Sequence, residues 1–447
     1  MAPATLGVWF PPIKNFRQRN YNEKSKLQMK IGILGCDEHI LAIAVAAVEG
    51  GHTLSPAYDV PEDLPPSLSG IDRQPREQWQ GLLEDELCSA VLVGVDGWSE
   101  HRAEQVRTLV QAGRPILIGH PASLSMLWAY ELDMILADSS ATVIPALATR
   151  QHPIIDSLKN LVEQSLAGNG PLGPIESLQF ERRQPHRDQD SVLASFARDA
   201  DIIRVLIGDP SRLMALGGGD AGWTNLAVGL SGPDQISVRW QVAKGRTHTL
   251  TIQLICERGR LCIDIPERAC GVWKVIQQTD SDIPDPLPTF STEMAPFAPA
   301  DVLLEHLLQA AKGNVDTRPA SSIPPAMWPD AARTIELAET IPRSVKKGRG
   351  IDLHQEEFSE LGTFRGTMAS LGCGIIMAGL FILFLATLVG GVARAAGWSF
   401  GERLAAIWPY AILTTLIIFL VLQLLPFLLP KESENRGEPK PSRPQNP

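Results

Sequence analysis

The stretch Lys30 to Asp59, KIGILGCDEHILAIAVAAVEGGHTLSPAYD, reads as a strand, a tight turn, a helix and a second strand that ends on an acid. That succession opens a dinucleotide-binding fold. In such folds G-x-G-x-x-G supplies the turn, the close backbone approach to pyrophosphate and the tight packing of helix on strand. Here Gly35 holds the first glycine position, Asp37 the second and Ile40 the third. A carboxylate at the second position competes with pyrophosphate for the helix N-terminus, which favours one anion at a time. The expectation is a nucleotide-binding scaffold with weak or absent affinity for NAD or NADP. Asp37 and Glu38 also suit a plain helix cap, acids being favoured at that end. Asp59 either holds adenosine ribose hydroxyls or is a solvated strand-end acid.

Downstream, a Pro-rich loop leads to a predicted helix near Arg76 to Glu86. SAVLVGV (89 to 95) follows as a buried strand, EHRAEQVRTLVQAG as a helix closed by Gly113, and PILIG as a further strand. Short apolar strands alternating with amphipathic helices predict a Rossmann-type, doubly wound parallel sheet over residues 30–148. Ligands of such sheets sit at the carboxyl ends of the strands, here Cys36 to His39, Asp59, Asp96 to Trp98 and His120-Pro121. Trp98 either stacks on a nicotinamide or sugar or is a partly buried loop aromatic. Past residue 149 the pattern changes. IESLQFERR, ISVRWQVA and HTLTIQLICERGRLCIDIP have period-two alternation, with a hairpin turn expected at Arg258-Gly259. Helices are expected at roughly 153–167, 195–208 and 300–312. These predict an open-sheet, mostly antiparallel α+β domain over 149–352.

The 447 residues exceed what one core usually holds, the net charge is −10, and no basic tract is dense enough for nucleic acid. Six scattered cysteines lack a CxxC pair, so reduced thiols are expected rather than a metal site formed by Cys256, Cys262 and Cys270. Residues 1–29 read as a flexible extension without the apolar core of a signal peptide. After a linker at 353–367, residues 368–393 and 404–430 carry no charge, and roughly 20 apolar residues suffice to cross a bilayer. Two transmembrane helices joined by RAAGWSFGER are expected. The basic residues flanking them place the main domain and both termini on the cytoplasmic side of the inner membrane. The tail 431–447 is polar, proline-rich and expected to be disordered.

Five segments, in order, resemble the glucose-fructose oxidoreductase / inositol dehydrogenase / MocA (Gfo/Idh/MocA) family over about residues 30–352. They are KIGILGCDEHI, SAVLVGVDGWSEHRAEQVRTLVQAGRP, ATRQHPIIDSLKNLVEQSLAGNGPLGPIESL, FARDADIIRVLIGDP and AARTIELAETIPRSVKKGRGIDL. The resemblance implies a lysine in E-K-P that orients the substrate hydroxyl. It also implies a second-domain histidine that takes the proton as hydride leaves, and a supporting aspartate one helical turn earlier. Here the tripeptide E-K-P is replaced by Gly119-His120-Pro121, the aspartate position is Ala194 and the histidine position is Arg198. Arginine cannot act as a base near neutral pH. His120 is either a substitute base, since histidine titrates in the right range, or a locally bonded strand-end residue. Asp199 and Asp201 match the family's D-x-D, whose role is structural or substrate-contacting. Arg182, Arg183, His186 and Arg187 either hold an anionic sugar or carboxylate or form a solvated strand exit paired with Asp188 and Asp190.

Replacing cofactor and catalytic positions together favours a membrane-tethered ligand-binding or scaffold pseudoenzyme. It would hold a sugar-like molecule and meet a protein partner at the membrane or a second copy of itself. The alternatives are an NAD(P)-dependent oxidoreductase acting on a sugar, cyclitol or sugar acid, and an offshoot with non-redox sugar chemistry.

Overall fold

Ile31 to Leu34 are buried in succession, so β1 (Lys30–Leu34) is covered on both faces, as a central strand of a parallel sheet must be. The computed structural model describes residues 28–353 except 85, 218–221, 234–235, 268–269, 280–289, 295–296 and 314–321, together with part of 381–397. In it β1 lies between β2 (Thr53–Tyr58) and β4 (Ala90–Val93). β3 (Arg73–Gln74), β5 (Ile116–Ile118) and β6 (Val143–Pro145) complete a six-stranded sheet, parallel throughout, in the order β3-β2-β1-β4-β5-β6. The direction of strand order reverses between β1 and β4, and a ligand crevice in such a sheet opens at that point, outside the carboxyl ends. Helices α1 (Glu38–Glu49), α2 (Glu100–Gln111) and α3 (Met126–Ala137) alternate with the strands. The helix expected near Arg76 to Glu86 is instead a 3₁₀ stretch over Arg76–Leu83, bent at Gln78. Pro56 cannot donate to the ladder, and the β1–β2 register slips around it, from Ile31 opposite Leu54 to Ile33 opposite Ala57.

The second sheet has nine strands. β7 (Ile175–Gln184), β8 (Arg212–Leu216), β9 (Ala227–Ser231), β10 (Ser237–Lys244), β11 (Thr249–Cys256), β12 (Gly259–Ile265), β13 (Trp273–Thr279), β14 (Phe290–Met294) and β15 (Ile351–Asp352) run in the order β14-β13-β12-β11-β7-β10-β9-β8-β15. Among the described strands of this sheet only β7 and β10 pair in parallel. The β11–β12 turn is Glu257-Arg258, one residue earlier than expected, because Gly259 is already paired with Cys256. One face buries Phe180, Trp240 and Ile252 under α4 (Pro153–Leu166), α5 (Gln189–Ile207) and the C-terminal half of α7 (Trp328–Lys347). α5 starts before its expected Ser195 because Asp188 caps it, accepting from the Ser191 amide at 3.0 Å.

Two helices return to the first sheet. Leu303, Leu304 and Leu307 of α6 (Pro299–Ala311) join the core of Ile31, Ile40 and Leu117, and Trp328 and Ile335 of α7 join that of Val93 and Ile118. A chain of ion pairs, buried at Arg150 and Asp201 and half-buried at Asp330 and Arg204, links these elements. Arg150 reaches Asp201 through two nitrogens and Asp330 at 3.0 Å, and Asp330 also receives Arg204 at 3.1 Å.

Residues 355–447 form a separate unit. Among the described residues no helix is long and apolar enough to cross a membrane. The expected span 404–430 and tail 431–447 lie outside the described residues, as do nearly all of the extension 1–29, the linker 353–367 and most of 368–393. The helical residues described near 381–392 expose Phe381, Phe384, Leu388 and Val392.

Candidate functional site

The carboxyl ends of β1, β4 and β5 converge on Asp37. This side chain is only 6% exposed and spends both oxygens. Oδ1 accepts from the Ile40 amide at 2.9 Å, capping α1, and Oδ2 accepts from the Val95 amide at 2.9 Å, tying α1 to the end of β4. The helix end that would receive an anion already holds one belonging to the protein itself. The loop is also closed by backbone. The Asp96 amide donates to the Cys36 carbonyl at 3.0 Å, and a Cβ on Gly94 would lie 2.2 Å from the Cys36 nitrogen, so only glycine permits this approach. A Cβ on Gly119 would meet Asp37 Oδ2 at 2.4 Å.

Arg102, on the apolar face of α2, is the buried cation beneath this loop, 3% exposed and directly under Gly35. It donates to the carbonyls of Gly94 at 3.0 Å and Asp96 at 2.6 Å, and to the Asp59 carboxylate. Asp59 therefore faces Arg102, with Arg76 at 3.8 Å, and holds a left-handed φ of 54°. Burial and the neighbouring Asp37 push the Asp96 carboxyl up. Taken together, the residues as they stand do not fit a pyrophosphate at Asp37 or a free ribose-binding acid at Asp59.

On the opposite wall the structure separates what the sequence grouped. Asp199 accepts from Arg182 through two nitrogens and from Trp240 Nε1 at 2.9 Å, and Asp201 is held by Arg150. Both acids are 1% exposed and committed to arginines, so they are placed as buried supports rather than as open ligand contacts, and the partly buried Arg182 is spent on Asp199. Trp98 packs edge-on against Trp128 at 5.0 Å, which in turn meets Trp328 at 5.3 Å. It belongs to an aromatic cluster, which favours the loop-aromatic alternative over a stacking platform.

His120 is 3% exposed, and its Nε2 lies 3.0 Å from the Thr334 hydroxyl of α7. Burial, then the Arg198 charge, push it down to about 3, so it stays neutral near pH 7 and does not titrate where a substitute base would. Arg198 itself is half-buried, and among the described residues its guanidinium makes one hydrogen bond, a long 3.4 Å approach to Ser195 Oγ. Ala194 lies one turn before it on α5. Arg102, Arg150 and Thr334 are not evident as site residues from the sequence. The only signal for the first two is an arginine at an apolar position.

His152 is another buried imidazole, stacked on Trp273 at 3.6 Å and pushed down to about 3 by burial. For His120 and His152 the folded state binds fewer protons than the unfolded state between about pH 3 and 6.5. Their stabilising contribution is thus complete above about pH 6.5 and is lost as pH falls through this window, about 2 kcal/mol for each by pH 5. Urea midpoints at pH 5 and pH 8 check this, and the drop on acidification is expected to shrink in His152→Gln.

Among the described residues no group of His, Cys, Asp or Glu is arranged to hold a metal. Cys256, Cys262 and Cys270 are free, and burial pushes the Cys256 thiol up to about 12.

No family model matches the sequence, and no curated protein matches it. The fold does match solved structures. Levoglucosan dehydrogenase in complex with NADH and L-sorbose is 15% identical, with a TM-score of 0.56 over 73% of this chain and 99% of that one. An aldose-aldose oxidoreductase from Caulobacter crescentus complexed with glycerol is 16% identical, TM-score 0.56, over 73% and 100%. An oxidoreductase from Agrobacterium radiobacter in complex with NAD+, L-tartaric acid and magnesium is 14% identical, TM-score 0.53, over 73% and 98%. The protein thus shares with these oxidoreductases a parallel Rossmann-like sheet followed by a mixed-sheet domain.

Proposed function

We propose that residues 30–352 form a Gfo/Idh/MocA-like binding unit, a nucleotide-type domain over 30–148 and a ligand-type domain over 149–352, that holds a small sugar-like molecule without redox turnover. The observation that carries this is Asp37, whose two oxygens occupy the α1 N-terminus and the Val95 amide where a pyrophosphate would have to bind. The replaced positions agree with it. Arg198 cannot accept a proton, and a neutral His120 pushed down to about 3 is a poor base at pH 7.

The comparisons favour a second reading, an NAD(P)-dependent oxidoreductase acting on a sugar, cyclitol or sugar acid. Related folds are solved with NADH and L-sorbose or with NAD+ and L-tartaric acid, and this supports the oxidoreductase reading better than it supports the binding one. Fold alone assigns no reaction. Titration of the full-length protein with NAD(H) and NADP(H) separates the two. Absence of binding supports the first, and a dissociation constant in the low micromolar range restores the second.

The same proposal anchors the protein in the cytoplasmic membrane through 368–393 and 404–430, beside a protein partner or a second copy. It is supported by the two uncharged runs, their basic flanks and the apolar residues exposed along 381–392. Reporter fusions at Gly397 and after Pro430 are expected to report opposite sides of the membrane, and a common side would defeat this topology.

A further inference from the structure

We infer that the small molecule held in this cleft carries a single carboxylate, and that Arg198 receives it. The inference rests on the binding reading of the cleft given above and adds the chemical class of the occupant.

Several arginines elsewhere in the molecule meet carboxylates of the protein. Arg102 pairs with Asp59, Arg107 with Glu100, Glu104 and Glu131, Arg150 with Asp201 and Asp330, Arg204 with Asp209 and Asp330, and Arg333 with Glu336. Arg187 donates to the Thr224 carbonyl at 2.7 Å. Arg198 departs from this pattern. Among the described residues no carboxylate lies within 4.0 Å of its guanidinium, and its five donors meet only Ser195 Oγ, at 3.4 Å.

The nearby acids are already committed. Asp199 holds Arg182 and Trp240, Asp201 holds Arg150, and Asp37 holds two backbone amides. The charges acting on Arg198 are Arg182 on β7, which opposes it, and the already committed Asp199 and Asp37, which favour it from beyond ion-pair distance; His39 at the start of α1, His120 after β5 and His248 before β11 also feel its charge. Its charge helps hold all three imidazoles below their usual range, after burial. A guanidinium drawn partly out of water without a carboxylate in direct contact is costly, and its planar fork matches a carboxylate through two parallel hydrogen bonds. His120 is committed to Thr334 and to the Ala197 backbone, whereas neutral imidazoles at His39 and His248 would each carry one donor and one acceptor, which suits the hydroxyls of a polyol.

The charge balance limits the occupant to one negative charge. Arg182 is already spent on Asp199, and Asp37 and Asp96 crowd the other wall, with Asp37 among the causes that push Asp96 up. A dianionic phosphate would face these acids with, of Arg182 and Arg198, only Arg198 outside a carboxylate ion pair among the described residues to meet it. A hydroxylated monocarboxylate, such as an aldonate or uronate, meets Arg198 without that repulsion.

Calorimetric titration of the full-length protein with D-gluconate, D-glucuronate, D-glucose and inorganic phosphate tests this. The acids are expected to bind at least about tenfold more tightly than glucose, the scale of a charge-assisted pair. Arg198→Gln is expected to abolish that preference with an unchanged melting temperature and circular dichroism spectrum, and Arg198→Lys to restore part of it. Equal binding of glucose, preferential binding of phosphate, binding of neither acid, or a carboxylate preference that survives Arg198→Gln would each overturn the inference. The dinucleotide titration reports separately on the underlying reading, so the two failures are distinguishable.

Discussion

Replacing Arg150 by methionine is expected to cost about 3–5 kcal/mol of folding stability, the loss typical when one member of a buried ion pair is removed. Arg150 is 3% exposed and Asp201 1% exposed, so the substitution strands a carboxylate that water cannot reach. Asp330 suffers less, because it keeps Arg204 at 3.1 Å and its own bond from the Met327 amide at 3.1 Å. The pH dependence distinguishes a stranded charge from lost packing. Burial already pushes the Asp201 carboxyl up, with Arg150 opposing it. Without Arg150 the folded state takes up a proton that the unfolded state does not. Stability of the variant then falls as pH rises, and the deficit relative to wild type is larger at pH 8 than at pH 5. Adding Asp201→Asn is expected to recover part of the loss, since a neutral amide costs less to bury than an unpaired carboxylate. A single-variant deficit below about 1 kcal/mol would mean that the network is solvated, as surface pairs are.

The same network shows where reading the sequence stops. Continuous apolar runs such as Ala90–Val93 and Ile116–Ile118 announce a parallel sheet, and period two along β11 announces the second, because one-dimensional spacing encodes which faces are buried. Asp37 as a helix cap was legible too, since its partner Ile40 is three residues away. Its second partner, Val95, is 58 residues away, and nothing local records it. Separations of 17 and 51 residues likewise hide the pairing of Arg182 with Asp199 and of Arg150 with Asp201, so the sequence groups Arg182 with its basic neighbours and the acids with possible ligand contacts. From sequence His120 is open to the substitute-base reading because histidine ordinarily titrates near neutral pH. Thr334, which lies against it, comes from α7, 214 residues on. Local pattern gave the elements and their faces, whereas the state of each charged group depended on contacts between elements.

Asp37→Gly is expected to strengthen binding of NAD(H) by about tenfold to a hundredfold, the worth of removing one like charge at close range from a bound pyrophosphate. The change frees the Ile40 and Val95 amides to donate to a ligand oxygen instead of to the protein's own carboxylate. It also leaves the buried cation Arg102 in place beneath Gly35. Ile40 need not change with it, because that side chain is fully buried in the core with Ile31 and Ile33 and belongs to the helix–strand contact rather than to the phosphate. The gain comes with a loss. Removing the cap and the α1–β4 tie is expected to destabilise the unliganded protein by about 1–3 kcal/mol. Asp37→Asn separates charge from shape, since it removes the charge at nearly the same volume and keeps one acceptor for the cap. If charge is what excludes the dinucleotide, asparagine recovers a large part of the affinity that glycine does. If bulk excludes it, asparagine recovers none, because its amide would still occupy the space between Gly119 and the α1 N-terminus. Wild-type affinity already in the low micromolar range, unchanged by either substitution, would show that Asp37 does not oppose the cofactor, and the oxidoreductase reading would then stand.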